Sequence, residues 1–167
     1  MPDQDGLLTD PALWRGVGAM AERGLSLQAD TPFTRMPELG ALANRFPRMW
    51  FMLGHTGLPE ERSAGYVEAW RRGLRDLARR DNVVVKISGL GMGDHPWTVE
   101  SIKPFVLEAI EAFGVERCMF GTNWPVDRLY SSLPDLVDAY RTLIADLSPA
   151  EQRDLLLHNA ERFYRMP

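Results

Sequence analysis

Cysteine is almost missing from this sequence, because its 167 residues contain only Cys118. A single cysteine excludes an internal disulfide and fits a reducing, cytoplasmic location. The apolar neighbours of Cys118 predict a small core residue in a buried strand. Long apolar runs are also missing, so we expect no membrane partner.

Concentrated positive charge is missing as well, since the net charge is −4 at pH 7. The arginine pairs Arg71-Arg72 and Arg79-Arg80 lie in one helix-like stretch with interleaved acidic residues. A solvated helix face explains that pattern, so we expect no nucleic-acid partner. The content of 45% hydrophobic and 25% charged residues is ordinary for one globular domain with a core.

Helical and strand-like segments alternate along the chain. Apolar strands are predicted at 25–29, 49–53, 82–87 and 117–120. Helices are predicted at 11–22, 36–46, 64–80, 99–113, 133–146 and 149–157. This order predicts an α/β fold with a parallel sheet, either open and doubly wound or part of a (β/α)8 barrel. The glycines between 89 and 93 are not followed by a helix start, which disfavours a nucleotide-binding doubly wound sheet.

Polar residues collect near the ends of the predicted strands. Because alternate residues of a strand share a face, parity pairs Gln28 with Asp30, Lys86 with Ser88, Asn123 with Met119, and His55 with Leu53. Active sites of barrels lie at the carboxyl ends of their strands, so this distribution favours the barrel.

Four motifs follow one another at compatible spacing. They are LGHTGLP at 53–59, NVVVKISGL at 82–90, FGTNWPV at 120–126 and NAERFY at 159–164. Together they resemble the amidohydrolase-related family of TIM-barrel hydrolases, and the resemblance extends over nearly the whole chain. That family includes sugar-lactone and dicarboxylate lactonases and, more distantly, metal-dependent decarboxylases.

The resemblance implies a single domain, residues 1–167, that is the C-terminal half of a (β/α)8 TIM barrel, with strands five to eight. A full barrel needs about 250 residues, so we expect an N-terminally incomplete fragment. The family's His-x-His pair has no counterpart among His55, His95 and His158. The isolated chain is therefore expected to be inactive, with a missing N-terminal half or a second copy as its partner.

The resemblance also implies a hydrolase in which water attacks the carbonyl of a small-molecule lactone, ester or amide. His55 and Asn123 occupy the catalytic positions of the family, and His55 would bind the substrate or a metal. The cofactor is not identified by this chain, although the family implies zinc or manganese in the full-length protein. A metal-dependent decarboxylase and a non-catalytic truncated half-barrel remain alternatives.

Asn123 departs from the family pattern, in which an aspartate acts there as a base or metal ligand. An amide does not accept a proton near neutral pH and is a weak metal ligand, although it can orient water or a carbonyl. Asp127 is a nearby carboxylate, but its loop position predicts a solvated acid or a helix N-cap.

Five further residues are predicted to contact the substrate because of their positions: Gln28, Lys86, Ser88, His95 and Trp124. A lysine inside a barrel needs a carboxylate partner or a lowered pKa. A register shift of one residue would instead turn Lys86 outward to solvent. His95 lies in a loop that follows a strand, and Trp124 begins a rigid turn at the barrel mouth.

Overall fold

The four predicted strands form one parallel sheet in the computed structural model, which describes residues 6–166. The strands are β1 (Leu27–Ala29), β2 (Phe51–Leu53), β3 (Val83–Ile87) and β4 (Cys118–Phe120). The helices are α1 (Pro11–Glu22), α2 (Met36–Arg45), α3 (Ala64–Leu77), α4 (Val99–Phe113), α5 (Leu133–Leu143), α6 (Pro149–Arg153) and α7 (Asn159–Tyr164). Within the described residues the strand order is β1-β2-β3-β4, with a helical crossover between successive strands. No helix in this range is both long and apolar enough to cross a bilayer.

The observed elements follow the predicted ones closely. Helices α1 and α4 match the predictions, while α2, α3 and α5 end one to three residues earlier than predicted. The strands begin one or two residues later than predicted. In α1 the Asp10 carboxylate accepts a hydrogen bond from the Ala12 N–H at 2.7 Å, and Pro11 takes the first helical position.

The last predicted helix differs from the structure. Ser148 and Glu151 form the predicted capping box, but α6 ends at Arg153. A π-helical turn, Asp154–His158, then leads into α7. Residues 149–157 are therefore helical as predicted, but their second half is π-helical and the helix continues to Tyr164.

One face of the sheet carries the main hydrophobic core. Phe51, Leu53 and Val85 are fully buried there, together with apolar side chains from α1 to α5. The largest of these is Trp70 of α3, whose indole N–H donates to the Thr56 carbonyl oxygen at 2.8 Å. A doubly wound sheet has helices on both faces, whereas these five helices pack on the same face, as in a barrel wall.

The opposite face of the sheet, called the inner face below, is partly covered by α7. Its apolar residues Met52, Val84 and Met119 are at most 2% exposed because Phe163 packs against them. The amide of Asn159 holds the start of α7 by donating to the carbonyl oxygens of Val115, before β4, and Cys118, the first residue of β4. The apolar residues of this face are therefore not exposed in the part of the chain that the structure describes.

Cys118 is fully buried in the main core, as the sequence predicts. Burial raises the pKa of its thiol above the ordinary value, which keeps the unreactive thiol form. We expect a thiol reagent such as DTNB to label Cys118 only when the chain unfolds. Labelling in increasing urea should follow the unfolding transition measured by circular dichroism, and rapid labelling without urea would contradict this packing.

Candidate active site

Polar residues follow all four strands at one edge of the sheet. Asp30 comes directly after β1, Ser88 directly after β3, and His55 and Asn123 lie two and three residues beyond β2 and β4. The strands are parallel, so their carboxyl ends meet at the same edge. The structure thus places predicted site residues from four separate segments in one region.

His55 reaches the inner face because the backbone turns after β2. His55 and Thr56 have φ values of 49° and 54°, so the alternation of the strand does not continue into them. The His55 Nδ1 atom lies 3.0 Å from the Ser88 Oγ atom, while Leu53 is buried in the main core on the other face. The parity prediction that paired His55 with Leu53 is therefore wrong.

Two glycines leave room for this arrangement. A Cβ atom at Gly54 would overlap the Asp30 Oδ1 atom. At Gly89, where φ is 66°, a Cβ atom would lie 2.8 Å from the His55 Nδ1 atom. The glycines of the LGHTG and SGL segments thus allow the side chains of Asp30 and His55 to approach the backbone closely.

Hydrogen bonds connect the inner face to α7. The Gln28 Oε1 atom accepts from the Lys86 ammonium at 3.1 Å and from the Tyr164 hydroxyl at 2.6 Å. The Gln28 amide donates to the Asp30 Oδ1 atom at 2.9 Å, and Asp30 Oδ2 lies 3.8 Å from His55 Nε2. Lys86 is half-buried and on the inner face, so the structure does not show the register shift that would turn it outward.

The surroundings of His55 favour its neutral form. Burial lowers the pKa of the imidazole, and the charge of Lys86 lowers it further, while Asp30 and Asp127 oppose the shift. Burial also lowers the pKa of Lys86, against the effect of Asp30. A neutral imidazole can donate a hydrogen bond from one ring nitrogen and accept at the other.

Substitutions at Lys86 and Asp30 are expected to move the pKa of His55 in opposite directions. K86M removes a positive charge and should raise that pKa, whereas D30N removes a negative charge and should lower it. NMR titration of the His55 ring signals, assigned by their loss in H55Q, measures both shifts. Shifts of the same sign in both variants would contradict the arrangement described for His55.

Asp127 is buried, contrary to its prediction as a solvated loop acid or helix N-cap. Its side chain is 1% exposed, and its Oδ1 atom accepts a hydrogen bond from the Asn123 amide at 2.9 Å. Asn123 has a φ of 52°, and the following 3-10 turn, Val126–Leu129, carries the carboxylate inward. Burial raises the pKa of Asp127, while the hydrogen bond from Asn123 and the charge of His55 oppose that shift.

His95 and Trp124 lie apart from these hydrogen bonds. His95 is exposed and stacks on Tyr130, with ring centroids 4.6 Å apart and planes 10° apart. Trp124 is 37% exposed and precedes a cis peptide bond to Pro125. Both residues belong to loops that follow β3 and β4, so substrate contact remains a prediction for them.

Tyr164 is the residue near the site that the sequence did not predict. Its hydroxyl bonds to Gln28, which is 136 positions earlier in the sequence. The NAERFY segment indicated a closing helix, but no local pattern indicates which side chain that helix directs toward the inner face.

The described residues do not by themselves form a metal site. Among residues 6–166 there is no group of three His, Cys, Asp or Glu side chains arranged to hold a metal ion. Protein metal sites for zinc commonly use at least three protein ligands. Among the described residues, His55 would be one ligand at most.

Comparison with known sequences and structures gives consistent matches. The profile of the family described as Amidohydrolase matches residues 1–166. An uncharacterized protein of Sinorhizobium fredii, y4mH, is 43% identical over 154 residues, which are 92% of this chain and 52% of that protein. An L-fucono-1,5-lactonase of Burkholderia ambifaria is 32% identical over 168 residues, covering 97% of this chain and 57% of the lactonase. The chain therefore spans about half the length of the curated relatives that it matches.

A solved structure has a closely similar fold. An amidohydrolase from Burkholderia multivorans, crystallised with bound HEPES, matches with a TM-score of 0.92 at 28% identity. The match covers 100% of this chain and 62% of that chain. A second crystal form of an amidohydrolase from the same organism, with the same TM-score, contains bound zinc.

Proposed function

Because the chain belongs to the amidohydrolase family, we propose that it supplies half of the active site of a hydrolase that opens a lactone with water. In this proposal the four strands are the last four of a (β/α)8 barrel. The barrel wall formed by α1 to α5 and the coverage of 62% of a solved amidohydrolase chain support it. The remaining strands of the barrel would lie beside β1 and β4, which are the edges of the sheet in the described residues.

The observation that carries the proposal is the contact between His55 and Ser88 at the carboxyl ends of β2 and β3. Active sites of barrels lie at that end of the strands. The imidazole is 14% exposed, so it is largely shielded from water but can still contact a ligand. A similarity to an L-fucono-1,5-lactonase supports a sugar lactone as the substrate class.

His55 and Ser88 have complementary roles in the proposed reaction. If Ser88 donates to Nδ1, the neutral imidazole carries its proton on Nε2, and this N–H can donate to the lactone carbonyl oxygen. That bond becomes stronger as negative charge develops on the oxygen, which lowers the barrier. Gln28 and Lys86 would bind polar groups of the substrate from the inner face, with His95 and Trp124 at the rim.

Hydrolysis of sugar lactones by the complete natural protein tests this function. A panel of five- and six-membered sugar lactones is followed by proton release in weakly buffered solution, with simple aliphatic esters as control substrates. Release of one acid equivalent per lactone supports the proposal, and no turnover of any lactone contradicts it. The chain of residues 1–167 alone is expected to be inactive, and hydrolysis by that chain would contradict the need for a second half.

The same assay separates the proposed hydrolase from a decarboxylase. A decarboxylase releases carbon dioxide from a carboxylated substrate, whereas a lactonase forms a hydroxy acid. Metal content alone does not separate them, because an amidohydrolase relative contains zinc in its crystal. The products therefore decide between the two reactions.

A further inference from the structure

Lactone hydrolysis requires a group that removes a proton from the attacking water. Two other proton acceptors near the inner face suit this task less well. In the tautomer proposed above, His55 has no free acceptor atom, because Nδ1 accepts from Ser88 and Nε2 carries the proton. The Asp30 side chain is 49% exposed, and its Oδ1 atom accepts from the Gln28 amide at 2.9 Å. Water therefore solvates Asp30.

Asp127 differs from Asp30 in its burial, since it is 1% exposed. Its Oδ1 atom accepts from the Asn123 amide, and within residues 6–166 no side chain donates to its Oδ2 atom. The Oδ2 atom is not sealed from solvent. It differs in this from the buried polar atoms of this range that have no partner, which are Thr56 Oγ1, Arg62 Nε and Ser131 Oγ. One carboxylate oxygen is thus held in place, while the other remains able to accept a proton.

The surroundings of Asp127 make its carboxylate a stronger proton acceptor. The carboxylate is 1% exposed, and burial raises its pKa, so it is a stronger base than an exposed carboxylate. Two titratable groups from other elements interact with the charge of Asp127. They are His55 after β2 and Tyr140 of α5, whose hydroxyl donates to the Gly121 carbonyl oxygen at 3.2 Å.

We propose that Asp127 is the catalytic base and that Asn123 positions it, an inference that rests on the hydrolase function proposed above. Asn123 lacks proton-accepting chemistry of its own, but it is four residues from Asp127 and holds its carboxylate directly. In this proposal the proton-accepting carboxylate of the loop is at position 127, four residues after Asn123.

The proposed step conserves atoms and electrons. Water oxygen forms a bond to the lactone carbonyl carbon while one of its protons moves to Asp127, and the carbonyl π electrons move to the oxygen. The tetrahedral intermediate then re-forms the carbonyl and breaks the ring carbon–oxygen bond. The proton on Asp127 moves to the departing ring oxygen, which leaves a hydroxy acid and a regenerated carboxylate.

D127N in the complete protein tests the base, with D138N as its matched control. D127N retains an oxygen that can accept the Asn123 hydrogen bond, and Asp138 is a 72% exposed aspartate of α5. We expect D127N to lower kcat by about 10²–10⁴-fold with little change in KM, because it removes proton transfer and not binding. We expect D138N to keep the wild-type kcat.

The pH profile provides a readout that a structural role would not change. In the wild-type protein, kcat/KM should rise with pH as Asp127 loses its proton, and D127N should lack that rise. Because the Asn123 hydrogen bond lowers the pKa of Asp127, N123A should move the rise to higher pH. The role of Asp127 is overturned if D127N has the same kcat as D138N, or if D127N keeps the rise of kcat/KM with pH. The role of Asn123 is overturned if N123A does not shift that rise.

Thermal unfolding separates loss of chemistry from loss of fold. The folded-state pKa of Asp127 is raised, so the protonated carboxyl group stabilises the folded state. This stabilisation is fully present below the unfolded-state pKa and is lost as pH rises through the folded-state pKa. D127N should therefore unfold at no lower temperature than the wild type at pH 8, and a much lower Tm would overturn the inference by making the carboxylate structural. Wild-type protein without lactone turnover contradicts the hydrolase function itself, whereas active wild type with active D127N contradicts only this inference.

Discussion

Replacing His55 with alanine in the complete protein is expected to lower kcat/KM for lactone hydrolysis by about 10²–10³-fold. The imidazole lies 3.0 Å from the Ser88 Oγ atom and 3.8 Å from the Asp30 Oδ2 atom, and it is 14% exposed. Its removal takes away the proposed hydrogen bond to the carbonyl oxygen, where negative charge develops in the transition state. Steady-state kinetics on the best lactone of the panel measures the loss.

The control for this substitution is H158A. His158 is a 52% exposed histidine whose Nδ1 atom lies 3.1 Å from a Glu161 carboxylate oxygen. It lies in the π-helical turn and has no role in the proposed chemistry, so H158A should retain wild-type kcat/KM. Full activity of a folded H55A protein would show that His55 has no part in catalysis.

Replacing Phe163 with alanine is expected to lower the free energy of unfolding by about 3–5 kcal/mol. Phe163 is 2% exposed and covers Met52, Val84 and Met119, so its truncation removes apolar contacts and leaves a cavity. Its ring also meets the ring of Trp50 edge to face, with centroids 5.0 Å apart. Urea unfolding followed by circular dichroism measures the change.

The matched control for Phe163 is L157A. Leu157 is 48% exposed in the π-helical turn, so its truncation should change the free energy of unfolding by less than about 1 kcal/mol. Equal effects of F163A and L157A would contradict the packing of Phe163 on the inner face.

The strand and helix order could be predicted because it depends on local patterns. Apolar runs such as 82–87 indicate buried strands, and Asp10 before Pro11 indicates a helix start. The gathering of Asp30 and Ser88 at one edge also follows from the sequence, since strands separated by helices are parallel and end on the same side. These inferences need only periodicity, capping and chain direction.

The directions of individual side chains could not be predicted in the same way. His55 faces the inner face because of its positive φ, and strand parity does not apply to such a residue. Asp127 is buried because the turn after Asn123 directs it inward, although the four-residue spacing of an amide and a carboxylate was visible in the sequence. Tyr164 depends on the docking of α7, which is set by packing between distant segments.

The bond between Tyr164 and Gln28 has a consequence for biosynthesis. The α7 segment follows every other element of the described chain, yet it carries both the cover of the inner face and a partner of Gln28. A nascent chain can form the earlier strands and helices while it is still being translated. The inner face acquires its cover and Gln28 its Tyr164 partner only after residues 159–164 have left the ribosome. Chains terminated just before this segment would retain the main core but leave the inner face open.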